Sequence, residues 1–438
     1  MPAVERPRPA PGRRIRDQPL SSARMSEGAC MTLMTMPLQG LVQQMLSSVK
    51  VGWGADRGRI NMTASDALAQ RWPAYEVHCA AQGEDAGHRA PRIGLKEADR
   101  QLQALAQRLF GTHLASFNAH NAQQANRAVF KALLQPGEPV TCLADPELEM
   151  LLDTLYVAAA TPRLQRTAAP CHGNGMIDYE RLASEVMATR PRCIVAGYAA
   201  YTRHLDYQVL RKIADSVGAS LVIDISRVAG LIAAGLLANP LPYADVVTGA
   251  THKSLQGPRG GFFMVHEPAL YDRLCESLRS LGHLGIPHRL KLALITCLRQ
   301  ADAPLQVARQ QLSMANARAM ARTFSDLGLQ VQCGGTDVQA VALALEPLAM
   351  TYQHAVAALA RLGISVESRE SPHLLINTFP VSARGMDAQA CQHLATALGT
   401  CLLHRNELKT VALGIGTIDR LCIDHPPLAT AMDYLNLQ

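Results

Sequence analysis

Residues 193–226 read CIVAGYAAYTRHLDYQVLRKIADSVGASLVIDIS. Two short apolar runs, CIVAGY and SLVIDIS, flank an amphipathic segment of helical period that ends at a glycine. A buried strand, a covering helix and a second buried strand are the units of a parallel sheet with helices on both faces. This stretch decides the fold class, which we predict as α/β with a mostly parallel sheet.

The same alternation continues on both sides of this stretch, from about residue 100 to residue 266. Further strands are predicted at 114–119, 140–144, 244–251 and 260–266, and further helices at 97–111, 122–137 and 147–160. After this region the pattern predicts two or three long helices within 268–327. It then predicts short strands at 331–335, 340–346, 365–368 and 374–379, with helices at 351–362 and 387–402.

The change in pattern divides the chain into three parts. Residues 1–30 form a Pro/Arg-rich tail that we expect to be disordered, with a transit peptide or an over-extended start as alternatives. Residues 31–300 comprise an N-terminal segment and a large domain. Residues 301–438 form a smaller α+β domain.

Charge and cysteine content narrow the class of protein. The net charge is +6, and the first 28 residues supply half of it, with six arginines against three acidic residues. The remaining chain has no basic run, which argues against nucleic-acid binding. Eleven cysteines without a C-x-x-C pair or a Cys/His cluster of metal-ligand spacing indicate free thiols and no metal site. Since no apolar run reaches roughly 18 residues, we expect no membrane span and a cytoplasmic protein.

Polar residues at three predicted strand ends mark a candidate site, because ligands of open parallel sheets bind beyond the carboxyl ends of the strands. Asp224 lies in the apolar run SLVIDIS, where a carboxylate is costly unless it is paired. It is either a structural salt bridge or cap, or a carboxylate held for a protonated ligand nitrogen or a metal.

Lys253 is one of only seven lysines, and it follows the predicted strand at 244–251 within VVTGATHKSLQGPRGG (246–261). A lysine at a strand end is usually a surface residue, but in a low-dielectric cleft it loses its proton readily and becomes a nucleophile. The glycines after it allow a bulky ligand to approach. A strand aspartate about 30 residues before such a lysine suggests a pyridoxal-phosphate site, in which Asp224 would hold the pyridine nitrogen and Lys253 the cofactor.

The helix that begins near Asn121 offers a phosphate site, because its first N–H groups are unpaired and its dipole is positive at that end. Asn121 can cap the helix and Gln123 can add a donor. A cap without ligand binding is the alternative.

These stretches together resemble serine hydroxymethyltransferase, from about residue 55 to about residue 405. The resemblance is strongest over 192–265, which contains the string T-H-K-x-L-x-G-P-R-G-G. It implies a fold-type I pyridoxal-phosphate transferase, aspartate aminotransferase-like, with a seven-stranded sheet in the large domain and a smaller C-terminal domain. It also implies a homodimer or homotetramer that acts on a small amino acid.

The resemblance assigns roles by position. Lys253 corresponds to the Schiff-base lysine, Asp224 to the partner of the pyridine nitrogen, and His252 to a histidine near the cofactor phosphate. The phosphate cradle falls on Asn121, Ala122 and Gln123, where the family has serine, glycine and serine.

Several substrate-site residues of the family are replaced. Leu148 stands at the ring-stacking histidine, and Arg227 at a histidine that approaches the phenolic oxygen of the cofactor. The segment expected to hold folate, 82–92, has no tyrosine; Gln82, Glu84 or Asp85 are the candidates for its acid. The arginine that clamps the amino-acid carboxylate falls on Leu375 or Ile376.

We therefore expect a pyridoxal-phosphate enzyme that performs aldol, retro-aldol or hydroxymethyl-transfer chemistry on an altered substrate. The replacements argue against the use of tetrahydrofolate, and a folate-dependent serine/glycine enzyme is the alternative version. The substrate carboxylate would be masked, as an ester or a carrier-bound thioester, or be held by Arg227 or Arg369. An ion pair with Asp224 is the alternative role of Arg227. Ser65 and Tyr201 complete the candidate substrate residues. A catalytically impaired paralogue that serves as a regulatory or scaffold subunit is the competing hypothesis.

Overall fold

The computed structural model describes residues 60–62, 95–135, 137–143, 166–168, 170–198, 201–366 and 372–426. Its largest element is a seven-stranded sheet in the order β2-β8-β7-β6-β5-β3-β4. Six of these strands run parallel to one another, and only β8 is antiparallel to its neighbours. The strands are β2 (Ala115–Ala119), β3 (Val140–Leu143), β4 (Arg166–Ala168), β5 (Cys193–Gly197), β6 (Ser220–Asp224), β7 (Val246–Ala250) and β8 (Gly261–Met264). The predicted α/β class and the mostly parallel sheet are confirmed.

Both faces of the sheet are buried, as the apolar strand sequences require. Alternate residues of β5 lie in different cores: Ile194 packs in one hydrophobic cluster, and Cys193 and Val195 pack in another. The helices of this region are α1 (Leu95–Phe110), α2 (Ala122–Leu133), α3 (Tyr179–Thr189), α4 (Tyr207–Val217), α5 (Ala229–Ala233), α6 (Pro268–Ser280) and α7 (His288–Gln300). The predicted helix at 147–160 lies outside the described residues.

The rest of the described chain builds a second core around a two-stranded antiparallel sheet, β9 (Ala340–Ala344) with β11 (His373–Asn377). Its helices are α8 (Pro304–Asp326), α9 (Tyr352–Ala360), α10 (Phe379–Ala383), α11 (Ala388–Leu403) and α12 (Leu408–Asp424). A short parallel pair joins β1 (Ile60–Asn61) to β10 (Ile364–Ser365). The predicted domain boundary at residue 300 stays a prediction.

The strand predicted at 331–335 is wrong. Residues Gln332–Gly334 form a 3-10 turn, and Val331 keeps only a single bridge to Leu343. Cys333 has φ 57°, and the following Gly334 and Gly335 also have positive φ, which is incompatible with strand geometry.

The described residues hold neither a candidate membrane span nor a candidate metal site. None of their helices is long and apolar enough to cross a membrane. They also contain no group of three His, Cys, Asp or Glu side chains placed to hold a metal ion. The nine cysteines among them form no disulfide bond with one another.

Candidate active site

The candidate site lies where β5, β6 and β7 end side by side. Asp224 is the last residue of β6, and its Cα pairs with Gly197 of β5 and Thr248 of β7. Lys253 follows the end of β7 by three residues and is half-buried. The two residues singled out from the sequence therefore leave the sheet on adjacent parallel strands, as a shared site requires.

Asp224 is 8% exposed, and neutral donors hold both of its carboxylate oxygens. Oδ1 accepts the backbone N–H of Ser226 at 2.7 Å, and Oδ2 accepts the Asn126 Nδ2 at 2.7 Å. In the described part of the chain Asp224 forms no ion pair, so the salt bridge with Arg227 considered from the sequence is not formed. The carboxylate is therefore fixed in place by neutral donors, and no cationic side chain among the described residues pairs with it.

Four buried polar atoms near the ends of these strands have no hydrogen-bond partner within the described ranges. They are Asn126 Oδ1, Ser226 Oγ, Thr248 Oγ1 and His252 Nδ1. Three of these residues contact Asp224 or pair with it across the sheet. Because buried polar groups are normally satisfied, such a concentration is typical of a place where a polar ligand binds.

Helix α2 points its N-terminus into the same region. Asn121 is its N-cap, and the Asn121 Oδ1 accepts the Gln124 N–H at 2.8 Å. The cap leaves the first amide groups of the helix, those of Ala122 and Gln123, without an intrahelical acceptor. These groups and the positive end of the helix dipole suit an anion such as a phosphate.

The glycine-rich string brings the Lys253 loop against this helix start. A Cβ on Gly261 would lie 2.1 Å from the Asn121 backbone oxygen and 2.8 Å from the Ala122 nitrogen, so only glycine fits there. The loop itself is closed by Thr251, whose N–H donates to the Gly260 oxygen at 3.1 Å and whose oxygen accepts the Gly257 N–H at 2.8 Å. The glycines after Lys253 thus set the distance between the loop and the helix.

His252 directly precedes Lys253 in the loop after β7 and is 8% exposed. Burial, together with the positive charges of Lys253 and Arg259, lowers the pKa of His252 from 6.5 to about 4. The imidazole is therefore neutral near pH 7 and available as a hydrogen-bonding group.

Arg227 is 3% exposed; it follows the end of β6, and its side chain reaches Tyr198 at the end of β5. Its Nε donates to the Tyr198 backbone oxygen at 3.1 Å, and its own backbone oxygen accepts the Gln339 Nε2. Since Gln339 directly precedes β9, Arg227 is tied to the end of the small sheet where β11 finishes.

Leu375 is the middle residue of β11 and is 8% exposed. It packs in the hydrophobic cluster that also covers the large sheet, with Ala340 and Ala342 of β9 in the same cluster. Ile376, the alternative position for the lost carboxylate-binding arginine, is fully buried in the second core. Both positions are thus apolar in their surroundings as well as in their side chains.

The remaining sequence candidates divide into two groups. Tyr201 is buried, and its hydroxyl lies 3.9 Å from the Met176 Sδ; burial raises the pKa of Tyr201, which keeps the phenol protonated. Its role in substrate binding stays a prediction. The others lie outside the described residues: Ser65, Leu148, Arg369, and the folate candidates Gln82, Glu84 and Asp85.

Sequence reasoning missed Asn126, the side chain that fixes Asp224. The signal was present, because Asn126 is a polar residue on the apolar face of α2, with Val129 and Phe130 one turn further along that face. A buried amide at such a position needs a partner, and the strand carboxylate is the one it has.

The chain resembles known proteins over most of its length. A family model described as serine hydroxymethyltransferase matches residues 95–412. "Serine hydroxymethyltransferase 2" of Pseudomonas savastanoi pv. phaseolicola is 35% identical over 333 residues, which cover 73% of this chain and 80% of the relative. "Serine hydroxymethyltransferase" of Halorhodospira halophila is 32% identical over 332 residues, with the same coverage of both chains. "Serine hydroxymethyltransferase 1" of Pseudomonas putida is 34% identical over 333 residues.

Proposed function

The chain belongs to the serine hydroxymethyltransferase family, which consists of pyridoxal-phosphate-dependent enzymes, and we propose that it acts at the α- and β-carbons of an amino acid whose carboxylate is recognised in an unusual way. The reaction class is aldol or retro-aldol cleavage or hydroxymethyl transfer. The observation that carries the altered substrate is the apolar environment of Leu375.

The residues at the strand ends fit the cofactor. Asp224, held by Ser226 and Asn126, is an acceptor for the protonated ring nitrogen of pyridoxal phosphate. The free amide groups at the start of α2 suit its phosphate. Lys253 is the nucleophile that would bond to its aldehyde carbon. The unsatisfied oxygens of Asn126, Ser226 and Thr248 and the nitrogen of His252 are the polar contacts that the bound group would complete.

When bound, pyridoxal phosphate supplies an electron sink for the α-carbon of the substrate. The protein supplies orientation and charge. Asp224 keeps a proton on the ring nitrogen because its carboxylate lies in a buried setting where a neighbouring cation would be strongly stabilised. His252 stays neutral near pH 7 and adds no positive charge to the site.

The substrate carboxylate is the feature that sets this chain apart. A bidentate arginine–carboxylate pair both binds and orients a substrate, and Leu375 cannot form one. Arg227 is buried, its guanidinium donates to the Tyr198 oxygen, and its backbone oxygen is tied to Gln339 beside the end of β11, so we assign it the carboxylate of a free amino acid. A masked carboxylate, as in an ester or a carrier-bound thioester, is the second candidate, favoured by the apolar cluster around Leu375.

Two readouts on a panel of amino acids and their methyl esters test this proposal. Aldehyde release measures cleavage of the Cα–Cβ bond of β-hydroxy amino acids, and exchange of the α-proton in D2O, followed by NMR, measures activation of the α-carbon of glycine. We expect aldehyde release from selected β-hydroxy amino acids, or turnover of esters, and poor turnover of free glycine and serine, independent of tetrahydrofolate. Arg227→Met should raise the concentration for half-maximal turnover of free acids by about ten- to hundredfold and leave that of esters unchanged, since only the acids lose a charged hydrogen bond. Efficient folate-dependent exchange with glycine would contradict the altered substrate.

The competing hypothesis, a cofactor-binding or cofactor-free scaffold subunit, gives a different result in the same experiment. It predicts neither aldehyde release nor exchange with any member of the panel. Cofactor binding without either reaction would favour the scaffold and would refute the proposed reaction.

A further inference from the structure

Lys253 belongs to a tight turn that is held from outside at several points. The turn is closed by the Gln256 N–H, which donates to the Lys253 backbone oxygen at 2.9 Å. Ser254 uses its hydroxyl to accept the Gly230 N–H at 2.9 Å, and its backbone oxygen accepts the Gln310 Nε2 at 2.8 Å. The Cys297 thiol donates to the next carbonyl, that of Leu255, at 2.9 Å.

Gln310 is the one side-chain amide among these anchors, and it comes from helix α8. It is fully buried. A Cβ on Gly230 would lie 2.2 Å from the Ser254 oxygen and 2.6 Å from the Gln310 Nε2, so the glycine makes room for this contact. The three residues form one close-fitting junction directly behind the backbone of the candidate nucleophile.

The Gln310 amide is satisfied at one end only. Its other end, Gln310 Oε1, is buried without a hydrogen-bond partner within the described residues, and the same is true of Asn316 Oδ1 on the same helix. What distinguishes Gln310 is its donor end, which holds the Ser254 carbonyl and so the backbone next to Lys253. Reactions are sensitive to small displacements of a reacting group, so this contact bears on the position of the amine.

Neighbouring polar residues on α8 have other contacts, which separates Gln310 from them. Ser313 lies 3.3 Å from the Thr378 hydroxyl at the end of β11. Asn316 donates to the Ser382 Oγ at 2.9 Å and to the Met386 oxygen at 2.7 Å, both in or beside α10. Within this buried stripe, Gln310 is the residue that reaches the Lys253 turn.

We propose that Gln310 is a positioning residue for Lys253: through the Ser254 carbonyl it fixes the backbone from which the nucleophilic amine extends. The proposal rests on the proposed function in one respect, that Lys253 bonds to pyridoxal phosphate. Loosening the turn lowers the effective concentration of the amine at the aldehyde, so less of the bound cofactor is linked to lysine and the cofactor leaves more easily.

The test compares Gln310→Met with Asn316→Leu in the full chain. Both changes remove a buried amide and keep the side-chain volume, but only the first releases the Lys253 turn. Cofactor affinity is measured by equilibrium titration with pyridoxal phosphate, the lysine-linked fraction by visible absorbance, and folding by thermal melting.

We expect Gln310→Met to raise the cofactor dissociation constant about tenfold and to lower the lysine-linked fraction. Its melting temperature should also fall, because the buried Ser254 carbonyl loses its donor. Asn316→Leu should lower the melting temperature and leave both cofactor measurements unchanged. Ser254→Ala, which removes the Gly230 anchor from the same turn, should shift the cofactor measurements in the direction of Gln310→Met and supports the proposal even if Gln310→Met folds poorly.

Two results would overturn the positioning role. One is a Gln310→Met protein with wild-type affinity and linked fraction; the other is an Asn316→Leu protein that loses cofactor as strongly as Gln310→Met. The wild-type titration tests the proposed function separately. If the wild-type protein forms no lysine-linked cofactor, both proposals fail. If the wild-type protein forms it and Gln310→Met binds and links the cofactor equally well, only the role of Gln310 is refuted.

Discussion

Replacing Gly261 by alanine tests how the glycine-rich string shapes the proposed phosphate site. The new Cβ would lie 2.1 Å from the Asn121 oxygen and 2.8 Å from the Ala122 nitrogen. Real Cβ contacts stay at or above 3.0 Å, so the loop and the start of α2 must separate by about 0.9 Å, the difference between 3.0 and 2.1 Å. Both clashing atoms belong to the backbone, so no side-chain rotation relieves the contact.

The separation has two expected costs. Overpacking of this kind destabilises a protein by about 1–3 kcal/mol. A cofactor phosphate that loses one charged hydrogen bond at the helix start loses about 1.5–3 kcal/mol of binding, which corresponds to about a ten- to hundredfold rise in the dissociation constant.

Equilibrium titration of Gly261→Ala with pyridoxal phosphate measures the second effect, and urea unfolding measures the first. Gly173→Ala is the matched control, because Gly173 is exposed and a Cβ there meets nothing within 4 Å. If Gly261→Ala bound the cofactor as tightly as the wild type and unfolded at the same urea concentration, the role assigned to this glycine would be refuted.

Three further predictions concern charge. The pKa of His252 is 6.5 in the unfolded chain and about 4 in the folded protein, so between pH 6.5 and pH 4 only the unfolded chain takes up the proton. The contribution of His252 to the free energy of unfolding is therefore full above pH 6.5 and falls toward pH 4, by up to about 3 kcal/mol. His252→Gln should flatten that slope in urea unfolding measured at pH 5 and pH 7. Lys291 is buried, and its Nζ lies 2.6 Å from the Asp99 Oδ1. Asp99→Ala should therefore destabilise the protein by about 3 kcal/mol, because it leaves a buried charge unpaired, and Lys291→Met by much less, as measured by thermal melting. Equal losses of stability in the two variants would contradict this explanation. Arg203 donates to the Cys333 oxygen and pairs with Asp337 at 3.1 Å, so Arg203→Ala should lower the free energy of unfolding by about 1–2 kcal/mol. An unchanged free energy of unfolding would show that these contacts do not stabilise the fold.

The large sheet could be predicted from the sequence because its signals are local. Apolar runs such as CIVAGY and SLVIDIS need burial on both faces, and each predicted strand in the described part of this region is present within two residues at either end. The 3-10 turn at Gln332–Gly334 was not predictable in that way, because VQCGG has strand-like residues and its conformation is set by the positive φ of Cys333 and the glycines. Helix α12 was also missed, since its glycines at 414 and 416 weaken the helical signal.

The candidate site could be predicted only in part. Asp224 and Lys253 were identified because each is an unusual residue at the end of an apolar strand. Asn126 and Gln310 were not, because their function depends on contacts with residues 98 and 56 positions away along the chain. Such pairings arise from the way helices pack on the sheet, and no local pattern in the sequence records them.

Covalent trapping of the cofactor identifies the lysine that carries it. The chain contains seven lysines, so a chemical label can distinguish among them. The wild-type protein, loaded with pyridoxal phosphate and reduced with borohydride, is digested and its peptides are identified by mass spectrometry. We predict one major adduct, on Lys253, that is lost in Lys253→Ala while the fold is retained. An adduct spread over other lysines, or no adduct in a well-folded and fully loaded protein, would contradict the assignment of Lys253 as the nucleophile.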